Sequence, residues 1–232
     1  MPCPESPESP ESALPLCVIV PEGLQAMLMF SGLIRHLAEG SPVLLCTRHE
    51  HMPTVRRLFG DLDLRFWFDK ESPAAAARAM GMDVMVVPNS PVRAYASVGL
   101  MPIDMHRLFV AHRNEAREEA VLKAVVDANG STFVAMHGDI DRALLPEGVP
   151  VVDVAMVAIE EPLDLCGVLN RAMQVHASDG WVLTLADLVS GASRKFCHVY
   201  ASKATLDGCR KKYRKRVTIL ARRGSSVSCL EK

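Results

Sequence analysis

The 232-residue chain is 49% hydrophobic and 23% charged, with a formal net charge of −1 at pH 7. That balance removes the electrostatic case for a general nucleic-acid binder, which carries a basic excess. Its apolar runs stop at roughly 5–8 residues, too short for a membrane span. Seven cysteines, an odd count with no CxxC or CxH spacing, signal neither a zinc site nor a disulfide framework. Several lie in apolar runs (LCVIV, VLLCT, KFCHVY), where a thiol behaves as a small core hydrophobe, and a reducing, cytoplasmic setting is the simplest reading.

The opening MPCPESPESPESALP has neither the basic start nor the apolar centre of a signal peptide. Its Pro-Glu-Ser repeats have nothing to bury, so residues 1–13 are expected to be a disordered tail. From Leu14 a rhythm of strands and helices begins. LPLCVIV (14–20) reads as a buried strand. The next segment, 24–40, places Met27, Phe30, Leu33, Ile34 and Leu37 on one helical face and ends at Gly40. PVLLCT (42–47) is a second strand, 51–61 a helix and LRFWFD (64–69) a third strand. A short helix over 72–82 opens on Ser-Pro, a helix-start signature, and leads into the strand DVMVVP (83–88).

Residues 89–113 are irregular. The rhythm restarts with a helix over 114–130, capped by Asn114 and terminated by Gly130. Strands are expected at 131–138 and 149–156, and a helix after them over 160–174. VHAS, WVLTLADLVSG and KFCHVYAS then read as strand, helix and strand, and RVTIL (216–220) as a last short strand. Strands alternating with crossover helices mean parallel sheets covered by helices. The restart after residue 113 predicts an α/β fold of two Rossmann-like units, spanning 14–112 and 113–204, with a basic C-terminal segment over 205–232.

In open α/β sheets ligands bind beyond the carboxyl ends of strands, which singles out the turns after Val20, Pro88, Met136 and Val175. At the first, Gly23 lets the backbone approach a ligand just before a helix N-terminus, although a glycine that merely makes the turn reads equally well. At the third, His137, Asp139, Asp141 and Arg142 crowd behind a strand. Arg142 has the geometry to clamp a diphosphate and His137 to share a proton, while a solvated loop of mutually paired charges fits as well. At the fourth, HASDGW, backbone donors around Ser178, Asp179 and Gly180 open a helix where phosphate is favoured. Asp179 also suits a plain helix cap, and His176 a satisfied core histidine. The stretch RNEAREE (113–119) reads as a solvated helix face with Arg–Glu pairs.

The order of these segments resembles the small GT-B-type glycosyltransferases of bacteria and large DNA viruses, distant relatives of the heptosyltransferases. PEGLQAMLMFSGLIRHLAEG is similar to the family's opening turn and helix. FVAHRNEAREEAVLKAVVDANGSTFVAMHGDIDR resembles its Arg/Glu helix, strand and His-Asp loop. EEPLDLCGVLNRAMQVHASDGWVLTLADLV, followed by KFCHVYA, resembles its closing unit, where a His-x-x-Asp-Ser-Ser turn opens a helix. The resemblance covers most of residues 16–201. It implies an acceptor-side first unit, a donor-binding second unit and a ligand cleft between them. It further implies metal-independent, inverting transfer of a sugar from a nucleotide sugar to a hydroxyl of a glycan or lipid-linked acceptor, without a cofactor. His137, Arg142, His176, Ser178, Asp179 and Gly180 would then hold the donor, with Gly23 on the acceptor side. Where the family has Gly-Leu-Gly-Asp, this chain has Gly-Leu-Gln-Ala, and Glu22 is the nearest substitute for the lost base. Asp-Ser-Ser likewise reads Asp-Gly-Trp. A catalytically silent nucleotide-sugar-binding or partner protein is therefore the alternative, and a nucleotide-binding enzyme such as an epimerase a third reading. The basic run 210–216 would suit an anionic membrane surface, making the protein cytoplasmic and peripheral to the membrane.

Overall fold

The computed structural model describes residues 15–67, 72–189, 194–200, 207, 209, 213, 216–223 and 226–230. The expected tail over 1–13 lies outside these residues, as does the run 210–216 apart from Tyr213 and Arg216.

The first sheet holds four parallel strands, β1 (Leu16–Ile19), β2 (Val43–Cys46), β3 (Leu64–Trp67) and β4 (Asp83–Val86), in the order β3-β2-β1-β4. Helices α1 (Leu24–Gly40), α2 (Met52–Phe59) and α3 (Pro73–Ala79) join them, close to the segments read from the periodicity. Within 89–113 the chain forms two short helices, α4 (Pro91–Ala96) and α5 (Asp104–Arg107). α6 (Glu115–Asn129) then leads to the second sheet, with the Asn114 side chain accepting from the Arg117 N–H at 3.2 Å and Gly130 ending it at φ 84°.

The second sheet runs in the order β10-β9-β8-β7-β5-β6. Its strands are β5 (Val134–His137), β6 (Val151–Asp153), β7 (Gln174–Ser178), β8 (Arg194–Tyr200), β9 (Thr218–Arg223) and β10 (Ser226–Leu230). β5 to β9 are parallel, and among the described strands only β10 is antiparallel, against β9. The sheet therefore continues past residue 204 through β9 and the β9–β10 pair. Helices α7 (Cys166–Arg171), preceded by a 3-10 turn at Pro162–Leu165, and α8 (Trp181–Val189) connect the middle strands. Two Rossmann-like units with parallel sheets, a GT-B-like architecture, are what the strand–helix rhythm and the resemblance predicted.

The two units share one core. It runs from Val18 and Leu45 in the first sheet, through Met27, Phe30 and Leu33 of α1, to Leu185 of α8 and Val175 of the second sheet. α1 is buried on every side from Ala26 to Arg35, not on the single face its spacing suggested. The reason is that α8 of the second unit packs on it together with α2, α4 and α5 of the first. A helix apolar all round is one buried all round, and between Ala26 and Ile34 only Ser31 is polar. The Ser31 hydroxyl is satisfied by donating to the Leu28 carbonyl at 2.9 Å.

A charged seam ties the units together beside this core. Arg57 of α2 donates to Glu161, just before the 3-10 turn that precedes α7, and, at 3.1 Å, to Asp164 within that turn, and lies 3.7 Å from Glu118 of α6. Arg113 forks onto Glu118, and Arg117 reaches Asp164 and, at 2.8 Å, Glu160. Glu118, Glu161 and Asp164 are only 3%, 5% and 1% exposed. The expectation of a solvated face over 113–119 is thus half right. The Arg–Glu pairing forms, but Glu118 turns inward because α7 and α2 close over it.

Candidate functional site

β5 and β7 are hydrogen-bonded neighbours with His137 level with Ala177, so the turns at their carboxyl ends emerge side by side. Gly138 takes φ 86°, a left-handed conformation, and a Cβ on it would run into the Ser178 hydroxyl. Gly138→Ala combines backbone strain with that clash and should lower stability by about 1–3 kcal/mol, read from the melting temperature. Ser178→Ala in the same chain should recover only the steric part, since φ stays positive.

At the second turn the Gly180 carbonyl accepts the Thr184 N–H at 3.1 Å, which places Gly180 at the helix boundary. The first amides of α8 then have no partner within the helix, the usual condition of a helix N-terminus. Asp179 precedes them and joins the two units. Its carboxylate accepts from the Gln25 side-chain amide at 2.9 Å and the Tyr213 hydroxyl at 2.7 Å. Gln25 lies in the first turn of α1, whose boundary residue Gly23 has φ 100° and provides no side-chain cap. The Gln25 amide is also 3.3 Å from the Thr184 hydroxyl. Two helix N-termini, those of α1 and α8, therefore meet across the seam, with Asp179 between them. Burial, first of all, and the Asp179 carboxylate keep Tyr213 protonated far above the usual phenol range.

His137, the last residue of β5, is half-buried, with its ring edge-on to Trp181 at 5.9 Å. Burial holds its proton affinity below that of a free imidazole, opposed by the Asp153 carboxylate. Arg142 is exposed on the next loop, at the start of a 3-10 turn (Arg142–Leu144) that Asp141 caps through the Ala143 N–H at 3.1 Å. Glu22 is exposed on the bend before α1 and is ion-paired with Arg48.

His176 is set back from these groups. It lies inside β7, 1% exposed, stacked on Phe196 of β8 at 4.4 Å. Its ring nitrogens meet His198 Nε2 at 2.9 Å and the Gln174 side-chain oxygen at 2.8 Å. The core-histidine reading describes this environment, behind the turn's last strand positions. His137, Ser178, Asp179 and Gly180 thus cluster at the ends of β5 and β7. Gly23 faces the same seam through Gln25, while Arg142 and Glu22 stand on exposed loops. Sequence reasoning missed Gln25, Thr184 and Tyr213. Gln25 was visible as a departure from a family turn, but its partner lies 154 residues away. No local pattern marks Tyr213.

Among the described residues no group of three or more His, Cys, Asp or Glu side chains could hold a metal ion, and no helix is long and apolar enough to cross a membrane.

No family model matches this sequence. No curated protein matches it either. Two solved structures share its fold. One is ADP-heptose LPS heptosyltransferase II of E. coli, at a TM-score of 0.53 and 10% identity, covering 92% of each chain. The other is a family 9 glycosyl transferase of Veillonella parvula DSM 2008, at a TM-score of 0.52 and 9% identity, covering 91% of this chain and 86% of that one. At such identities the likeness is one of fold.

Proposed function

We propose that this protein is a glycosyltransferase that takes a sugar from a nucleotide-sugar donor held at the carboxyl ends of β5 and β7. The observation that carries the reading is the meeting of two helix N-termini across the seam of a two-sheet fold shared with two glycosyltransferases. The unpaired amides at the start of α8, with Ser178 and Gly180, supply fixed positive potential for a donor diphosphate. Arg142 on the neighbouring loop adds a bidentate clamp as negative charge develops on the leaving group. His137 and Trp181 offer a ring pair to the sugar or base. His176 supports the turn from behind rather than touching the donor.

In the proposed step a general base removes the proton of an acceptor hydroxyl as that oxygen attacks the anomeric carbon. The bond to the diphosphate breaks, and the sugar is transferred with inversion, without a metal or bound cofactor. Glu22, beside Gly23 on the acceptor side, is the base this chain offers, with Arg48 orienting its carboxylate. The acceptor is a glycan or glycolipid hydroxyl, and the setting cytoplasmic, with 210–216 at an anionic membrane surface.

A second reading, donor binding without turnover, is favoured by one specific feature. Where the resembled family has its aspartate, this chain has Ala26, 5% exposed, and the adjacent Gln25 occupies Asp179.

Thermal melts with UDP, GDP, ADP, CMP and their sugar conjugates test the donor site. One nucleotide class should raise the melting temperature, by the equivalent of about 2.7 kcal/mol at a hundredfold excess over Kd. Asp179→Asn, which disturbs the turn, should reduce the response. No response to any member would overturn the assignment. Turnover that vanishes in Glu22→Gln while donor binding persists supports transfer; binding with no turnover in either protein selects the second reading.

A further inference from the structure

Alternate residues of a strand point to opposite faces of its sheet, and the first sheet uses both faces differently. Val18 of β1 and Val43 and Leu45 of β2 join the main core. Cys17, Ile19, Leu44 and Cys46 belong to the other face, where Cys17 and Cys46 form a smaller buried cluster with Ala77 of α3. Cys17 is level with Leu44, and Ile19 with Cys46, so the two thiols are diagonal neighbours on adjacent parallel strands. Their sulfurs are 3.5 Å apart. Cys17 is fully buried and Cys46 is 9% exposed.

The cover over this pair is thin. α3 has seven residues, buries only Ala77 among them, and its boundary residue Ser72 makes no side-chain cap bond. A short helix held by one buried side chain opens locally at low cost, which admits a small oxidant to Cys46, the sulfur nearer the surface. Both strands also lead directly to groups at the carboxyl ends of the sheet. β1 runs on through Pro21 to Glu22, and β2 through Thr47 to Arg48. Glu22 and Arg48 are ion-paired with each other, so a shift of either strand end reaches that pair.

We propose that Cys17 and Cys46 form a reversible disulfide, made by a hydroperoxide and undone by a dithiol, that governs the alignment of the Glu22–Arg48 pair. In the first step the Cys46 thiolate attacks one oxygen of the peroxide. The O–O bond breaks, Cys46 becomes a sulfenic acid, and the departing hydroxide takes up the proton that Cys46 gave away and leaves as water. In the second step the Cys17 sulfur attacks the Cys46 sulfur. The S–O bond breaks, and the hydroxide leaves with the Cys17 proton as a second water. The two thiols lose two electrons between them, and hydrogen peroxide is reduced to two waters. A disulfide holds its sulfurs about 2.05 Å apart, so closing the gap draws the ends of β1 and β2 out of their present alignment. In a reducing compartment such a bond is transient, which is the form a sensor needs. The bond itself is independent of the proposed transfer reaction; its effect on turnover rests on Glu22 being the base.

Hydrogen peroxide is the probe, added to the reduced, native full-length chain. Remaining thiols are then alkylated in urea and the digest is read by mass spectrometry. The expected product is a linked pair of peptides carrying Cys17 and Cys46, lighter by two hydrogens and separated again by dithiothreitol. Cys17→Ser should stop at a Cys46 sulfenic acid that dimedone captures, whereas Cys46→Ser should leave Cys17 unmodified at the same dose. The wild-type linkage decides the matter even if either variant folds poorly. Oxidation should also quicken amide hydrogen exchange over 20–23 and 47–49, and reduction should reverse the change. In an active preparation the link should lower kcat, since a displacement of about 1 Å at reacting groups can cost ~100-fold. The proposal is overturned if the native chain gives no such link, or gives it only when peroxide is added in urea. It is equally overturned if exchange at the two turns, or kcat where turnover exists, is the same in the linked and reduced forms. Silence across the nucleotide panel would end the transferase reading without touching this linkage, and a missing linkage leaves the nucleotide response as it was.

Discussion

Replacing Arg57 by methionine is expected to destabilise the protein by about 3–5 kcal/mol, the range for leaving buried charges without their partner. Arg57 donates to Glu161 and Asp164, and its Nε donates to the His112 carbonyl at 2.8 Å. Removing the guanidinium takes from Glu161 its cation and leaves Asp164 and Glu118 to Arg117 and Arg113. Methionine keeps much of the side-chain volume, so the loss reports charge more than cavity. Lysine should rescue only partly, because its point-like ammonium lacks the spread fork with which Arg57 reaches the His112 carbonyl from Nε and the two carboxylates from a terminal nitrogen. Adding Glu161→Gln to Arg57→Met should recover part of the loss, since the neutral amide is far cheaper to bury. Urea unfolding at pH 7 measures all three. A loss under about 1 kcal/mol for Arg57→Met would mean that water reaches these carboxylates as it does an ordinary surface pair.

The second large effect is acid instability from the His176–His198 pair. Burial pushes both imidazoles down to about 4, and the neighbouring His198 adds to the effect on His176, while Asp141 opposes it on His198. In the unfolded chain each ring takes up a proton near the ordinary pH of about 6.5. The unfolded state therefore binds more protons between about pH 6.5 and 4, and stability falls as pH drops through that window. Each ring contributes at most roughly 3 kcal/mol. The pair is also chemically exclusive: with 2.9 Å between the facing nitrogens, one must donate and the other accept, so protonating both breaks the bond. Urea midpoints measured from about pH 7.5 to 4 should fall steeply below about 6.5. His176→Phe, which can keep the stacking on Phe196, should flatten that fall by about half. Asp61, held far below the usual carboxylate range mainly by Arg35, adds its loss only at lower pH. A midpoint constant down to about pH 4.5 would refute the neutral buried pair.

Much of the fold was legible because it rests on local periodicity. Segment 24–40 reads as a helix from its own apolar spacing, and Asn114 and Gly130 mark the ends of α6 by cap chemistry that needs only nearby residues. The thiols in apolar runs were readable as core, and Cys17, Cys46 and Cys197 are buried. β10 was not legible, since its place depends on pairing with β9 and not on an apolar pattern of its own.

The turns at Gly23, His137 and Asp179 could be picked out as candidates because strand ends are where backbone donors face outward. What each turn touches could not. The sequence by itself determined two parallel α/β units, their order and the turns at their strand ends, because hydrophobic period and turn chemistry act over a few residues. Only the tertiary structure decided that Gln25 meets Asp179, that His176 is sheltered behind the site with His198, and that Glu118 is buried. Those outcomes depend on how two units pack through α1 and α8, and packing joins residues whose separation along the chain carries no signal.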